Sequence, residues 1–393
     1  MLSPDVLPDQ QDNSDAEGPT GLLHDGAFVQ VIHTPAADPS GARSIVYFDS
    51  ERSPGAAEAF RSGMIRPGEY HVYEIVPKAP HWYPSREMQE VCALLAARVG
   101  SDALAFGVSM GGYGALRYGG AAGCATTLAL SPQSDISPSN AGAGSGMFGR
   151  HHDPELHAEM AIKPRHLTRH VIVAWDPGDV FDTAQATMIP ATDGQFTVSM
   201  DHCGHWTGAA LVAADGLAPI ALAVFAADRL EVARLLRRAR RAWPAHLARL
   251  SLACTKRGHP EWAFDIASAA IEDHGNQPEL DIALASARVS LGKIDEGLQG
   301  IERLVVAHPR NQRYWNALVA EYEKLGHDGC VAEVLEIATG QTENFTFCWK
   351  LINKLIAMGS FGQARMITEL ASELWPDRGQ QLERTLARLP AMG

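Results

Sequence analysis

Residues 105–119 read AFGVSMGGYGALRYG, and this stretch decides how the first half of the chain is interpreted. An apolar run ends at Val108, and a run compatible with a helix begins at Met110. Ser109 is therefore predicted to lie on a sharp turn between a strand and a helix, within the pattern GxSxG. The alternative is an inert serine in a glycine-rich turn, and only the surrounding elements decide between the two.

Short apolar stretches alternate with helical ones on both sides of this turn. Because strands separated by helices require crossover connections, the order predicts an α/β domain with a mainly parallel sheet and helices on both faces. We place this domain at residues 27–228. The predicted strands are 28–34, 44–49, 70–76, 103–108, 125–130, 170–175 and 196–200, and the predicted helices are 86–99, one from residue 110 and one from residue 207.

The segment 107–116, GVSMGGYGAL, resembles the nucleophile turn of serine esterases with the α/β-hydrolase fold. The resemblance extends over roughly residues 27–227. It implies a serine nucleophile, Ser109, followed along the chain by an acid and then by a histidine. Neither a cofactor nor a metal is expected.

The acid is expected after the strand at 170–175, where the sequence continues DPGDVFD. Asp176, Asp179 and Asp182 are the three candidates. The resemblance favours Asp179, because many such hydrolases place the acid a few residues beyond the strand, and Asp176 is second. The competing interpretation is that these aspartates cap the next helix, which is a common use of Asp in a first turn.

The histidine is expected after the last strand, in FTVSMDHCGHWTG at 196–208. His205 is favoured over His202, because the family commonly has Gly-His at this turn. The spacing His-x-x-His is a weak indication of a metal, since catalytic zinc requires three protein ligands. Cys203 lacks a nucleophile turn and is a weaker candidate still.

The expected chemistry uses each residue type in one role. His205 takes the proton of Ser109 as the serine attacks an acyl carbon, and Asp179 orients the imidazole. The resulting oxyanion needs backbone N–H donors. We assign one to Met110 and the second to Ser50, at the turn after the strand 44–49, although a carboxylate at Asp49 would be unfavourable there unless it is turned away.

The second half of the chain carries an internal repeat. Gly258, Gly292, Gly326 and Gly359 recur at steps of 34, 34 and 33 residues, and mostly small residues follow five positions later (Ala263, Gly297, Val331 and Ala364). This period resembles that of tetratricopeptide repeats over roughly residues 244–378, with a closing helix at 380–389. The predicted architecture is thus an α/β-hydrolase fold followed by an all-α tetratricopeptide-like solenoid at 244–393.

The remaining segments connect or flank these two domains. Residues 229–243 form a predicted connecting helix, whose arginines we interpret as a solvated face, with docking to an acidic surface second. Residues 1–26 are a predicted disordered acidic tail. A glycine- and serine-rich stretch after Ser131 stands where hydrolases often insert a cap. The loop 80–84, PHWYP, could supply aromatic walls to a pocket or pack at the surface.

Composition restricts the cellular setting and the partners. The 393 residues carry a net charge of −13, which argues against a nucleic-acid partner. The longest apolar run is too short to span a membrane, and six scattered cysteines suggest a reducing compartment, so a cytoplasmic location is expected. The substrate is expected to be a small-molecule or carbohydrate-linked ester, with a protein or peptide partner for the helical repeats.

Hydrolysis of a carboxylic ester is the predicted reaction. One alternative is acyl transfer, in which an alcohol rather than water intercepts the same acyl-enzyme. The other is a binding or scaffold protein that keeps the fold without turnover. Since all candidate catalytic residues precede residue 228, a chain ending near Asp228 is expected to retain activity.

Overall fold

A computed structural model describes residues 21–50, 63–65, 68–138 and 149–390. The chain divides into two compact units, Met1–His246 and Leu247–Gly393. The first contains a mixed β-sheet with helices, and the second is a long all-helical stretch that resembles a tetratricopeptide solenoid.

The sheet of the first unit has eight strands among the described residues. They are β1 (Gly21–Asp25), β2 (Val29–Thr34), β3 (Ser44–Phe48), β4 (His71–Pro77), β5 (Leu104–Val108), β6 (Thr126–Leu130), β7 (His170–Trp175) and β8 (Gln195–Ser199). Their spatial order is β1-β2-β4-β3-β5-β6-β7-β8. The first two pairings, β1 with β2 and β2 with β4, are antiparallel, and the other five are parallel. The sheet is therefore mixed, whereas a mainly parallel sheet was expected, and the difference lies at the edge formed by β1 and β2.

The strand order reverses at β3. The chain places β4 on one side of β3 and then returns to place β5 on the other side. In open α/β sheets, ligands bind outside the carboxyl ends of the strands at such a reversal, because the two connections leave in opposite directions and open a crevice. Ser50 follows β3, and Ser109 follows β5, so both lie at this crevice.

Helices cover both faces of the sheet. The described α-helices of the first unit are α1 (Ser85–Ala96), α2 (Met110–Tyr118), α3 (Val180–Thr187), α4 (Thr207–Val212), α5 (Ala218–Phe225) and α6 (Arg229–Arg241). Alternation along the strands separates two apolar cores. Phe48 packs on the side of α1 and α2, whereas Tyr47 and Phe106 pack on the side of α4, α5 and α6.

Two segments differ from the sequence-based expectation. Residues 21–25, assigned to the acidic tail, form the edge strand β1, while residues 1–20 lie outside the described part of the chain. The segment 229–243, predicted as a connection, contains α6, whose Val232 and Leu236 are buried in the core with the sheet. Helix α6 is therefore part of the first unit's core.

The second unit is built from helix pairs. Its α-helices, with α7 crossing the boundary between the units, are α7 (Pro244–Lys256), α8 (Pro260–His274), α9 (Pro278–Ser290), α10 (Ile294–Ala307), α11 (Gln312–Lys324), α12 (Asp328–Thr342), α13 (Phe345–Ala357), α14 (Phe361–Leu374) and α15 (Gly379–Leu386). Each of the four periodic glycines lies in the turn inside a pair with a positive φ of 70–82°, a conformation that favours glycine.

The small residue five positions later lets the two helices of a pair approach. A Cβ placed on Gly297 would lie 2.7 Å from the carbonyl oxygen of Ala285 in the preceding helix. Ala263, Val331 and Ala364, at the equivalent positions, are fully buried. The repeat pattern thus reflects close helix packing as well as turn geometry.

Candidate functional site

Ser109 lies on a strained turn between β5 and α2. Its φ of 57° and ψ of −117° are unfavourable for a residue with a side chain. Hydrogen bonds hold this conformation: the Ser109 N–H donates to the carbonyl of Leu130 at 2.9 Å, and the Ser109 carbonyl accepts from Tyr113 N–H at 3.1 Å. The turn is thereby fixed to the end of the neighbouring strand β6.

The two glycines of the GxSxG motif are required by space. A Cβ on Gly107 would lie 2.1 Å from the carbonyl oxygen of Gly111, and a Cβ on Gly111 would lie 2.1 Å from that of Phe48. Backbone atoms at these distances cannot move aside without displacing the turn or β3. The motif therefore encodes the close approach of three backbone segments around Ser109.

Ser109, His205 and Asp182 form a chain of hydrogen bonds. His205 Nε2 lies 2.8 Å from Ser109 Oγ, and His205 Nδ1 lies 2.7 Å from Asp182 Oδ1. With Nδ1 donating to the carboxylate, Nε2 is left as an acceptor for the serine hydroxyl proton. The Asp182 side chain is 1% exposed and that of His205 is 17% exposed. The arrangement can deprotonate Ser109 as it attacks an electrophile.

Asp179, the sequence-based choice of acid, does not contact His205. Its Oδ1 accepts the N–H groups of Phe181 and Asp182 at 3.0 Å, so Asp179 is the N-cap of α3. Asp182 lies in the first turn of that helix, and its side chain reaches the histidine. The capping role considered for these aspartates therefore belongs to Asp179, and the geometry puts Asp182 where Asp179 was expected.

Asp176 and His202, the second choices, lie elsewhere in the same region. The carboxylate of Asp176 accepts from Gly178 N–H at 2.8 Å and from Gly204 N–H at 2.7 Å, which ties the turn that carries His205 to the end of β7. The ring of His202 is directed towards His246, at a centroid distance of 6.3 Å. His205 is the histidine that reaches Ser109.

Helix α6 also holds the histidine turn. Arg240 forms an ion pair with Asp201 at 2.5 Å, and the Arg240 side chain is 17% exposed. His246 is buried, at 3% exposure, and its ring contacts that of His202 in the same turn. Burial, reinforced by the nearby Arg240 charge, lowers the pKa of His246 to about 4. Residues 229–246 therefore support the segment that presents His205.

The two expected oxyanion donors differ in availability. Met110 is the first residue of α2, where a helix has no acceptor of its own for the N–H. The Ser50 N–H, in contrast, donates to Asp49 Oδ1 at 2.7 Å. The Ser50 hydroxyl donates to the carbonyl of Val108 and accepts from Gly111 N–H at 3.3 Å. Ser50 thus clamps the nucleophile turn, and its backbone donor is occupied.

The Asp49 carboxylate is buried and turned towards its own strand. Its Oδ1 also accepts from the Tyr47 hydroxyl at 2.8 Å. Two donors, the Tyr47 hydroxyl and the Ser50 N–H, therefore hold the carboxylate that was expected to be unfavourable near an oxyanion unless it is turned away.

Aromatic residues near the site divide into buried and exposed ones. Trp82 and Tyr83, in the loop considered as a pocket wall, are 2% and 1% exposed and have positive φ values, so they pack inside the domain. Trp206, next to His205, is 60% exposed, and Phe181, next to Asp182, is 49% exposed. Of these two exposed rings, that of Trp206 lies 6.4 Å from the His205 ring, centroid to centroid. Within the glycine- and serine-rich segment considered as a cap, residues 139–148 lie outside the described chain.

Neither a metal cluster nor a membrane-spanning helix occurs among the described residues. They contain no group of three or more His, Cys, Asp or Glu side chains arranged to hold a metal ion. None of their helices combines the length and apolar character that a membrane crossing requires.

Comparisons with known proteins give similarity only among solved structures. No protein-family model and no curated protein matches the chain. TTC0263, a thermophilic TPR protein of Thermus thermophilus, is 20% identical over 43% of this chain and 96% of that chain, with a TM-score of 0.29. A MamA structure, MSR-1 C2, is 21% identical over 37% and 83%, with a TM-score of 0.25. EstE1, a carboxylesterase cloned from a metagenomic library, is 14% identical over 54% and 84%, with a TM-score of 0.34.

Two features of this site were not singled out by sequence reasoning. The first is the contact of Asp182 with His205. The signal that could have revealed it is the position of Asp179 directly before a helix, where Asp is a preferred cap. The second is the role of Ser50 Oγ as a clamp, for which the sequence carries no signal, because the contact joins residues 58 to 61 positions apart.

Proposed function

We propose that the first unit is a serine hydrolase with the α/β-hydrolase fold that cleaves carboxylic esters through an acyl-enzyme. The observation that carries the proposal is the continuous hydrogen-bond chain from Ser109 Oγ through His205 to Asp182. The order of these residues along the chain, nucleophile, acid and histidine, is that of the α/β hydrolases. The position of Ser109 at the reversal of strand order supports the same fold.

The reaction begins with attack of Ser109 Oγ on the ester carbonyl. His205 Nε2 accepts the serine proton, and the Asp182 carboxylate stabilises the imidazolium that forms. The imidazolium then donates this proton to the leaving alkoxide, which departs as the alcohol and leaves an acyl group on Ser109. Water, deprotonated by His205, attacks the acyl-enzyme and releases the carboxylic acid.

Charge on the tetrahedral oxygen is stabilised by the Met110 N–H. This donor is fixed at the start of α2, so it needs no rearrangement when the negative charge develops. The partial positive charge at a helix N-terminus acts in the same direction. Because the Ser50 N–H is occupied by Asp49, we do not assign the second donor to Ser50.

The proposal is tested by replacing the carboxylates of Asp182 and Asp179 with amides in separate variants. Asp182→Asn should lower kcat for a short-chain ester by about 10⁴-fold, because the wrong imidazole tautomer is then favoured. Asp179→Asn is the matched control, since Asn also caps helices well and should leave kcat within about threefold. Equal losses in the two variants, with both proteins folded by circular dichroism, would contradict the assignment of the acid.

For the second unit we propose recruitment of a protein or peptide partner. Stacked helix pairs expose extended surfaces, and each pair contacts mainly its neighbours, which suits binding of a chain segment. The experiment is affinity capture with the isolated helical unit and with the full chain, followed by a binding titration with each purified candidate. If none of the purified candidates binds saturably to the helical unit or to the full chain, the proposed recruitment is contradicted.

A further inference from the structure

Gln133 lies three residues beyond the end of β6 and contacts the site in three ways. Its backbone N–H donates to the Ser109 carbonyl at 3.1 Å. Its side-chain Nε2 donates to Asp182 Oδ1 at 3.0 Å. Its carbonyl accepts from the indole Nε1 of Trp82 at 3.2 Å. The residue is 1% exposed, so all three bonds are shielded from water.

The Asp182 carboxylate, which Gln133 contacts, accepts few hydrogen bonds within the described chain. Asp182 Oδ1 accepts from both Gln133 and His205, whereas Oδ2 is buried and has no hydrogen-bond partner within the described chain. A buried carboxylate is costly unless donors compensate its lost hydration. The Gln133 amide is therefore a principal contact that compensates the lost hydration of the Asp182 carboxylate and fixes its direction.

The turn that carries Gln133 is itself strained and firmly held. Ser131 has a φ of 41°, an unfavourable value for a residue with a side chain. Its N–H donates to the Ala174 carbonyl at 2.8 Å, and its hydroxyl lies 2.9 Å from that of Thr207, the first residue of α4. Such strain persists only where the surroundings determine the conformation. The turn 131–133 is thus tied to Ser109, to Asp182 and to the helix that follows His205.

We propose that Gln133 is a positioning residue that holds Asp182 in the direction required by His205 and fixes the acid relative to the nucleophile turn. This inference rests on the proposed function. Gln133 does not contact the reacting atoms. Its effect reaches the reaction through Asp182, so it should change kcat for a small ester and leave KM within about twofold.

The first experiment replaces the amide and keeps the volume. Gln133→Met should lower kcat by about 10- to 100-fold, the range for loss of a buried hydrogen bond to a charged group. Gln185→Met is the matched control, because Gln185 is also 1% exposed but its amide bonds to the backbone of Asp135. It should stay within about threefold of the wild type. Equal kcat losses in the two variants would overturn the proposal.

A double-mutant cycle separates positioning from general support of the fold. In an Asp182→Asn background, Gln133→Met should cost less than about twofold further, because the carboxylate that it orients is gone. A full further loss of 10-fold or more would show that Gln133 acts by another route.

Failure of the positioning role of Gln133 can be distinguished from failure of the proposed hydrolase function. If the wild-type protein has no turnover that depends on Ser109, the hydrolase assignment itself is wrong. If turnover depends on Ser109 and Asp182 but not on Gln133, only the positioning role is overturned. Thermal unfolding of each variant identifies proteins whose loss of kcat comes from loss of the fold.

Discussion

Removal of helix α6 tests how far the catalytic unit extends along the chain. All three residues of the hydrogen-bond chain precede residue 228, and from the sequence alone a protein ending there was expected to be active. The structure places Val232 and Leu236 of α6 at 1% and 0% exposure in the core beside the sheet. We therefore predict that a chain ending at Asp228 does not fold stably.

The magnitude follows from these two side chains. Full burial of a Val or Leu contributes about 1.5–3 kcal/mol each, so the truncation removes about 3–6 kcal/mol before the newly exposed core surface is counted. The whole stability of a domain is about 5–15 kcal/mol. The truncation also removes the ion pair of Arg240 with Asp201 in the histidine turn.

The assay compares urea unfolding and ester hydrolysis for chains ending at Asp228 and at Lys256, where α7 ends. The longer protein should unfold cooperatively and retain kcat within about threefold of the full chain. Leu236→Ala in the full chain provides a point-mutation version, with an expected loss of about 2–5 kcal/mol. A chain ending at Asp228 that matches the longer one in unfolding midpoint and kcat would refute the reasoning.

Two further predictions concern stability. Gly111→Ala should destabilise the first unit by about 1–3 kcal/mol and lower kcat, because the new methyl group meets the Phe48 carbonyl. Gly340→Ala, in an open position of α12, should instead be stabilising by about 0.5–1 kcal/mol. Loss of stability in both variants, measured by urea unfolding, would contradict this steric account. Since burial lowers the pKa of His246 to about 4, the unfolded chain binds a proton below about pH 6.5 that the folded chain does not. The unfolding free energy should therefore fall by about 2 kcal/mol more between pH 7 and pH 5 in the wild type than in His246→Gln, and an identical decrease in both would contradict the assignment.

The nucleophile turn was predictable because its constraints select residue types within one short motif. Steric demands at Gly107 and Gly111 are written into the motif itself, and the change from an apolar run to a helical one marks the turn. The 34-residue repeat was predictable for the same reason, since each glycine serves a turn within one helix pair. In the nucleophile turn, the glycine at 111 also reflects a distant contact, with the Phe48 carbonyl of β3, although the contact partner cannot be read from the motif.

The acid could not be chosen with the same certainty, because three aspartates fall within seven residues. Only the start of α3 decides that Asp179 caps the helix and that Asp182 faces His205. The preference for Asp at an N-cap is a local rule, and it favours the capping role of Asp179. The contact of Asp182 with a histidine 23 residues away depends on how β7 and β8 pair.

Strand β1 and helix α6 show two other limits of prediction from the sequence pattern. The edge strand Gly21–Asp25 is only half-buried and reads GLLHD, so its strand signal is weak beside the acidic segment that precedes it. Helix α6 has a clear apolar row that includes Val232 and Leu236, but its many arginines dominate the composition. Its place in the core follows from tertiary packing with the sheet.

Labelling with a fluorophosphonate probe tests the central claim most directly. The probe reacts with a serine that an adjacent base has activated, so it reports on Ser109 and His205 without knowledge of the natural ester. We predict stoichiometric labelling that peptide mapping locates at Ser109, with complete loss in Ser109→Ala and strong loss in His205→Ala, while both variants keep the wild-type unfolding midpoint within a few degrees. Labelling at another residue, or undiminished labelling and ester turnover in a folded Ser109→Ala protein, would contradict the account.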